Sequence, residues 1–181
     1  MTEEANTAAG GGPKADGLYF QDIEIGASLP ELSKGPMSVA HIVRWSAATE
    51  NWHRIHYDRK YAVEHDELPD VVVNGSWKQH VLLQLLTDWL DESGWVYRLK
   101  FRFLDMNLPG DVFAAWGKVT EKRMSGQFGL VTLEVGLRNQ LDQENTAGTA
   151  TVVLPRRGGP SVPYPFDPRY IEEDWDGSIV A

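Results

Sequence analysis

The sequence predicts an α+β fold in which an antiparallel sheet wraps around one long apolar helix. After Trp77 the apolar residues recur at helical spacing, at positions 77, 81, 82, 85, 86, 89 and 90. After Gly94 the spacing changes to strict alternation, which is typical of a half-buried strand: Tyr97, Leu99, Phe101 and Phe103 alternate with Arg98, Lys100 and Arg102. Segments 113–119, 130–137 and 149–154 continue in this style, separated by turn-forming residues.

Two shorter helices are predicted before the long one. Ser38 is a good N-cap for a helix that ends just before Glu50, and Asp58 caps a further turn or two through Val63. Between them, residues 51–57 have neither a helical nor a strand period and are predicted to form a loop.

The long helix has predicted boundaries of its own. A short apolar run, residues 71–75, closes on Gly75, Ser76 can cap the helix that follows, and Gly94 ends it.

The chain of 181 residues is long enough for one domain, which we place at residues 18–155. Residues 1–17 are predicted to be a disordered tail, and residues 156–181 a proline-rich extension. Its aromatic residues suggest that the extension packs on something, a neighbouring subunit being one candidate, with a loosely attached tail as the alternative: Tyr164, Phe166, Tyr170 and Trp175.

Composition excludes several classes of function. A formal net charge of −9 argues against a nucleic-acid partner, and no apolar run is long enough to cross a membrane. The absence of cysteine removes disulfides, thiolate metal sites and a cysteine nucleophile. With no secretory signal at the N-terminus, we expect a cytoplasmic protein.

Chemically able side chains are densest between Glu50 and Asp58, and three hypotheses compete there. A metal site would use His53 and His56, with Asp58 or His65 as a third ligand. However, the segment is not predicted to form the helix that would place the two histidines on one face. The metal hypothesis is therefore the weakest, and we expect no metal.

A structural hypothesis explains most of these residues one by one. Trp52 would pack, Arg54 would pair with Glu50 or Asp58, and His53 would be capped or solvated.

The third hypothesis is acid–base catalysis by His56, whose ordinary pKa lets it accept and return a proton near neutrality. Asn51, five residues earlier, can donate a hydrogen bond to a carbonyl or a water. The segment Asn74-Gly75-Ser76 begins the apolar helix, where the N–H of Gly75 can approach an oxyanion.

These residues carry a resemblance to the MaoC-like, R-specific enoyl-CoA hydratase/dehydratase family, whose signature is Asp-x-Asn-Pro-x-His-x-Asp followed by Ala. The resemblance covers roughly residues 18–154, including residues 19–26 as the family's opening strand and turn. It implies a single hotdog fold, with His56 as the catalytic histidine, Asn51 in place of the catalytic aspartate, and Gly75 as the oxyanion glycine.

The replacement of aspartate by Asn51 leaves three alternatives open, because an amide cannot take a proton. In the first, His56 transfers the proton alone while Asn51 orients water or the carbonyl, as the resemblance to hydroxyacyl-thioester dehydratases that have Asn at this position implies. In the second, Glu50 takes the role of the family's aspartate. In the third, the chain is a non-catalytic or partner-dependent half of a heteromer with another MaoC-like chain.

The resemblance implies addition of water to a 2-enoyl-CoA, or its removal from a 3-hydroxyacyl-CoA, in fatty-acid or steroid side-chain metabolism. CoA or an acyl carrier is the handle, no cofactor is required, and at least a dimer is expected. A hotdog thioesterase is the other enzyme considered, but the helix start offers no carboxylate before Asp88. Arg98, Lys100 and Arg102 are candidates for CoA phosphates, although a solvated strand face explains them better.

Overall fold

The computed structural model of the chain describes residues 17–171. The predicted disordered tail therefore lies outside the described residues except for Gly17, and so does Trp175. The helices are α1 Val39–Ala48, α2 Arg59–Glu64 and α3 Gly75–Leu90; the strands are β1 Leu32–Lys34, β2 Trp95–Phe103, β3 Phe113–Ser125, β4 Phe128–Asn139 and β5 Glu144–Leu154.

The five strands form one antiparallel sheet in the order β1-β3-β4-β5-β2. β3 and β4 form a hairpin around Gly126, whose φ of 55° lies in the left-handed region that glycine tolerates. The strands run longer than their apolar cores predict, because the hydrogen-bond ladder continues through the polar residues at their ends.

Helix α3 packs its apolar stripe against one face of this sheet, and the α+β hotdog prediction is confirmed. Val81, Leu82, Leu85, Leu86 and Leu90 are buried in one cluster with side chains from β3, β4 and β5. Alternate residues of β4, Val131, Leu133, Val135 and Leu137, supply the centre of the sheet's inner face.

Three local predictions at these elements are wrong. Ser76 does not cap α3; it is the second residue of the helix, and its Oγ accepts a hydrogen bond from Trp45 Nε1 at 2.9 Å. Gly94 does not end α3, which stops at Leu90; Gly94 lies immediately before β2, where a Cβ would come 2.6 Å from the Val153 carbonyl oxygen. Residues 19–26 form a 3₁₀ turn at Phe20–Asp22 rather than a strand.

The C-terminal extension packs on the outer face of its own sheet. Phe166 and Ile171 are buried against Phe128, Leu130 and Val153. The position of Phe166 is therefore explained within one chain. Tyr164 and Tyr170 contact the rings of Trp95 and Phe128 but stay 87% and 51% exposed. The domain boundaries that we drew at residues 18 and 155 stay a prediction.

Within residues 17–171, no helix is long and apolar enough to span a bilayer.

Candidate active site

The loop that carries the predicted histidine is folded by its neighbours in sequence. Arg54 donates to Asp58 Oδ2 at 2.6 and 3.1 Å, which settles the predicted partner of Arg54 as Asp58. Asp58 Oδ1 accepts from the backbone N–H of Tyr61 at 3.0 Å, which caps α2 as the sequence predicted. Between them, Arg54–His56 form a single 3₁₀ turn. His56 is therefore the last residue of a short turn, which is held by the bonds of Asp58 to Arg54 and to Tyr61.

His56 is 8% exposed, and one of its ring nitrogens already has a hydrogen-bond partner within the chain. Nδ1 lies 2.8 Å from the carbonyl oxygen of Val72. Since a carbonyl oxygen only accepts, Nδ1 carries the proton, and Nε2 of the neutral ring keeps a free lone pair.

The surroundings of His56 favour the neutral ring. Burial lowers the pKa of His56 below its ordinary value of 6.5, the hydrogen bond to Val72 opposes this, and the nearby His53 lowers it further. A base that stays uncharged at neutral pH is ready to accept a proton.

Asn51 lies at the end of α1, in the turn that follows the helix. Its backbone N–H reaches the Ser46 carbonyl oxygen, and its Oδ1 accepts from the N–H of His53 at 3.2 Å. Within residues 17–171 no acceptor is bound to its Nδ2, so the amide can donate to a ligand. The neighbouring Glu50 is exposed with a φ of 52°, in the helix-ending position.

Gly75 is joined to the histidine loop by the extended segment 71–74. Val72 donates its N–H to the Ile55 carbonyl oxygen at 3.0 Å and accepts from His56, so the two segments are bonded on both sides of the ring. Gly75, three residues later, is the first residue of α3, and no acceptor among the described residues binds its N–H. This N–H and the positive end of the helix dipole suit a developing negative charge.

A side chain at Gly75 would require the ring of Phe103 to move. A Cβ there would lie 2.7 Å from two ring atoms of Phe103. The ring occupies the space that the glycine leaves open, which places an aromatic wall beside the free N–H.

Asn74 and Ser76, predicted to bind substrate, have side chains that fasten α1 to α3. Asn74 is 1% exposed and forms two hydrogen bonds with Ser46, at 3.0 and 3.3 Å. Ser76 is held by Trp45. Sequence reasoning missed Ser46, although its position four residues after the buried Ile42 places it on the inner face of α1.

The other candidate site residues of the segment 50–58, such as His53, Arg54 and Asp58, form no hydrogen bond with the ring of His56. The ring of His53 is 6.1 Å from that of His56, centre to centre, and is exposed. Arg54 and Asp58 are used in their ion pair. Trp52 was expected to pack, but it is 65% exposed: the turn directs its side chain outward, and only its carbonyl oxygen is used, by Tyr57.

The metal hypothesis required a third ligand near the two histidines. Among residues 17–171 no group of three histidine or carboxylate side chains could hold a metal ion. Asp58 is bound by Arg54, while His65 binds Asp66 at 2.7 Å and stacks on Tyr61.

The basic residues of β2 lie on the far side of the sheet from α3. Leu99 and Phe101 pack against the core, so the alternating Arg98, Lys100 and Arg102 point outward and are exposed. Lys100 and Arg102 line a groove of about 600 Å³ on that face.

The chain is similar to known proteins both in sequence and in fold. The family model for hydroxyacyl-thioester dehydratase type 2 matches residues 29–108, the stretch that contains Asn51, His56 and Gly75. No curated protein sequence matches the chain.

Solved structures give the same answer about the fold. The ChsH1–ChsH2 complex from Mycobacterium tuberculosis matches with a TM-score of 0.64 at 26% identity, over 72% of this chain and 98% of that one. The (R)-hydratase from A. caviae involved in PHA biosynthesis gives 0.66 at 24%, over 75% and 99%. A MaoC-like dehydratase from Rhodospirillum rubrum gives 0.68 at 19%, over 78% and 99%.

A five-stranded antiparallel sheet around one central helix, with a buried histidine bonded to the segment that begins the helix, defines a hotdog protein. Within that fold the chain is similar to MaoC-like dehydratases and R-hydratases, which supports the family resemblance seen in the sequence. These relatives support a hydratase or dehydratase at the general level.

Proposed function

We propose that the chain adds water to a 2-enoyl thioester, or removes it from a 3-hydroxyacyl thioester, with His56 as the acid–base group. One observation carries the proposal: Nδ1 of His56 is bonded to Val72 O, which leaves a basic Nε2 beside the segment that ends in the free N–H of Gly75. A proton acceptor and an oxyanion donor are thereby held by adjoining, hydrogen-bonded segments.

In the hydration direction, Nε2 of His56 accepts a proton from water as the water oxygen bonds to Cβ of the substrate. The electron pair of the Cα–Cβ double bond moves toward the thioester carbonyl, whose oxygen binds the N–H of Gly75. The imidazolium then returns the proton to Cα, so atoms and charge balance with no other reactant. Asn51 Nδ2 donates to the water or the carbonyl.

The substrate handle is CoA or an acyl-carrier phosphopantetheine, and neither a metal nor a redox cofactor has a role in these steps. The outward position of Arg98, Lys100 and Arg102 argues against their meeting the CoA phosphates within one chain. A cytoplasmic location and a role in fatty-acid or steroid side-chain metabolism stay predictions.

A second candidate is a partner-dependent or non-catalytic acyl-CoA-binding subunit. Asn51 favours it, because it stands where the family signature has a carboxylate and its amide cannot accept a proton. The heteromeric ChsH1–ChsH2 complex among the similar structures supports a heteromer with another MaoC-like chain as much as a homodimer or a higher oligomer.

A thioesterase is less well supported. The first carboxylate of α3 is Asp88, which is exposed and binds Gln84 three turns from the helix start. No carboxylate of α3 therefore faces a thioester held at Gly75.

The test is an assay of the purified protein on crotonyl-CoA and on a bulkier 2-enoyl-CoA. Loss of the conjugated-thioester absorbance reports hydration, and a thiol reagent reports hydrolysis. We expect hydration that falls at least about 100-fold in His56→Ala. His65→Ala, in which an exposed histidine is removed, is the matched control and should keep the wild-type rate.

Each other outcome would count against a named part of the proposal. Full activity in His56→Ala would remove His56 from the mechanism. Release of thiol would identify a thioesterase. Binding of acyl-CoA without turnover would favour the partner-dependent subunit.

A further inference from the structure

Lys78 is a buried cation that the steps above do not use. It lies in α3, three residues after Gly75, and is 2% exposed. Its Nζ donates to the backbone carbonyl oxygen of Asp105 at 2.7 Å. Among residues 17–171 it forms no ion pair, so its hydrogen-bond partner is a neutral group.

This arrangement is unfavourable for the charged lysine itself. Burial lowers the pKa of Lys78 to about 8, although the carboxylates of Asp105 and Asp111 oppose the change. An apolar side chain of the same size would avoid that cost. A buried charge without an ion-pair partner is therefore a candidate for a functional role.

The two carboxylates whose charges act on Lys78 already have other hydrogen-bond partners. Asp111 Oδ2 accepts from Asn107 Nδ2 and from the N–H of Leu108, and its Oδ1 accepts from Gln140. Asp105 Oδ1 accepts from the N–H of Met106. Lys78 thus contacts the loop through a backbone carbonyl oxygen of Asp105.

The loop between β2 and β3, residues 104–112, is attached to the helix start at two points. Lys78 binds Asp105 O after Gly75, and Val73 donates to Asn107 O at 2.9 Å before it. The loop therefore spans the segment that presents the free N–H of Gly75.

Phe103, immediately before this loop, connects Lys78 to Gly75. The Nζ of Lys78 lies 5.6 Å from the centre of the Phe103 ring, and the same ring fills the space beside Gly75. Phe101 packs against Phe103 from the strand, with ring centres 5.4 Å apart. The ring, which is 50% exposed, thus contacts the helix start and the strand.

We propose that Lys78 is a positioning residue for the thioester site: it holds Phe103 and residues 104–112 against the start of α3, so that Phe103 forms the apolar wall beside the Gly75 N–H. The proposal rests on the proposed function of that site. An apolar wall there excludes water from the oxyanion donor and limits the orientations of a bound thioester.

The test compares Lys78→Met with wild type, and uses Lys60→Met, an exposed lysine of α2, as the matched control. We expect kcat/KM for crotonyl-CoA to fall about tenfold or more in Lys78→Met, mainly through kcat, because misplacement of the site affects turnover. The melting temperature should be unchanged or higher. Lys60→Met should match wild type in both measurements.

A pH profile separates this role from a purely structural one. In wild type, kcat/KM should decline as the pH rises past about 8, where Lys78 loses its charge. This decline should be absent in Lys78→Met. The same alkaline decline in both proteins, or an unchanged kcat/KM in the variant, would overturn the proposal.

Hydrogen exchange gives a readout that does not depend on turnover. Amides of residues 104–112 should exchange faster in Lys78→Met, and equal rates would also overturn the proposal. Wild-type protein inactive on every enoyl thioester would instead reject the proposed function, while the exchange measurement would still decide whether Lys78 holds the loop.

Discussion

Replacement of Lys78 by Met should change how the stability of the protein depends on pH. The pKa of Lys78 falls from 10.5 to about 8 in the folded chain, a difference of about 2.5 units. At about 1.4 kcal/mol per unit, the buried charge costs about 3 kcal/mol at neutral pH. Between pH 8 and 10.5 the unfolded chain holds the proton more tightly, so the free energy of unfolding of wild type should rise with pH across this window relative to Lys78→Met.

Urea unfolding followed by tryptophan fluorescence at pH 7, 8, 9 and 10 measures this difference. Other titrating groups are common to both proteins and cancel. We expect the wild-type free energy of unfolding to gain about 1 kcal/mol per pH unit above 8 over that of the variant. A constant difference from pH 7 to 10, or one of opposite sign, would refute the reasoning that Lys78 is buried as a cation.

Three further substitutions test the packing and the site. Ser46→Ala leaves the buried amide of Asn74 without its partner and should lower the free energy of unfolding by about 1–3 kcal/mol, measured in urea; a change below about 0.5 would contradict the bond. Phe166→Ala should cost about 3 kcal/mol in the same assay yet leave the hydration rate per folded molecule intact, and a lost rate would place the extension in the site. Gly75→Ala should displace Phe103 and lower kcat for enoyl-CoA about tenfold or more, with wild-type kcat as the contrary result.

Much of the fold was predictable because its signals are local. The apolar stripe from Trp77 to Leu90 and the alternation along β2 each specify an element within one segment, and both elements are present. Tyr97 departs from the alternation, because a bulge between Val96 and Arg98 places it in the outer cluster with Phe166. The buried position of Phe166 was not predictable, because it depends on residues of β4 and β5 that come together only in the folded sheet. The predicted end of α3 at Gly94 was wrong because this glycine is required by the close approach of the Val153 carbonyl oxygen, and not by the end of the helix.

The candidate site divides in the same way. The motif singles out His56 and Gly75, and the structure joins their segments through Val72. The tautomer of His56 could not be read from sequence, since Val72 lies sixteen residues away. The engagement of Asn74 with Ser46 is equally a tertiary contact.

Lys78 was the least predictable member of the site region. A lysine within an apolar stripe is usually expected to extend to solvent. Its burial depends on the carbonyl oxygen of Asp105, which is supplied by the loop after β2. The periodicity of a helix carries no information about a loop that folds onto it.

The pH dependence of kcat/KM for crotonyl-CoA hydration tests the central claim, that His56 is the base, most directly. Burial lowers the pKa of His56, so activity should fall only at acidic pH, with a midpoint below 6.5, and be level between that midpoint and about pH 8. His56→Gln should lose this acidic limb together with the rate. A midpoint above 6.5, or an unchanged profile and rate in His56→Gln, would contradict the assignment of His56 as the base.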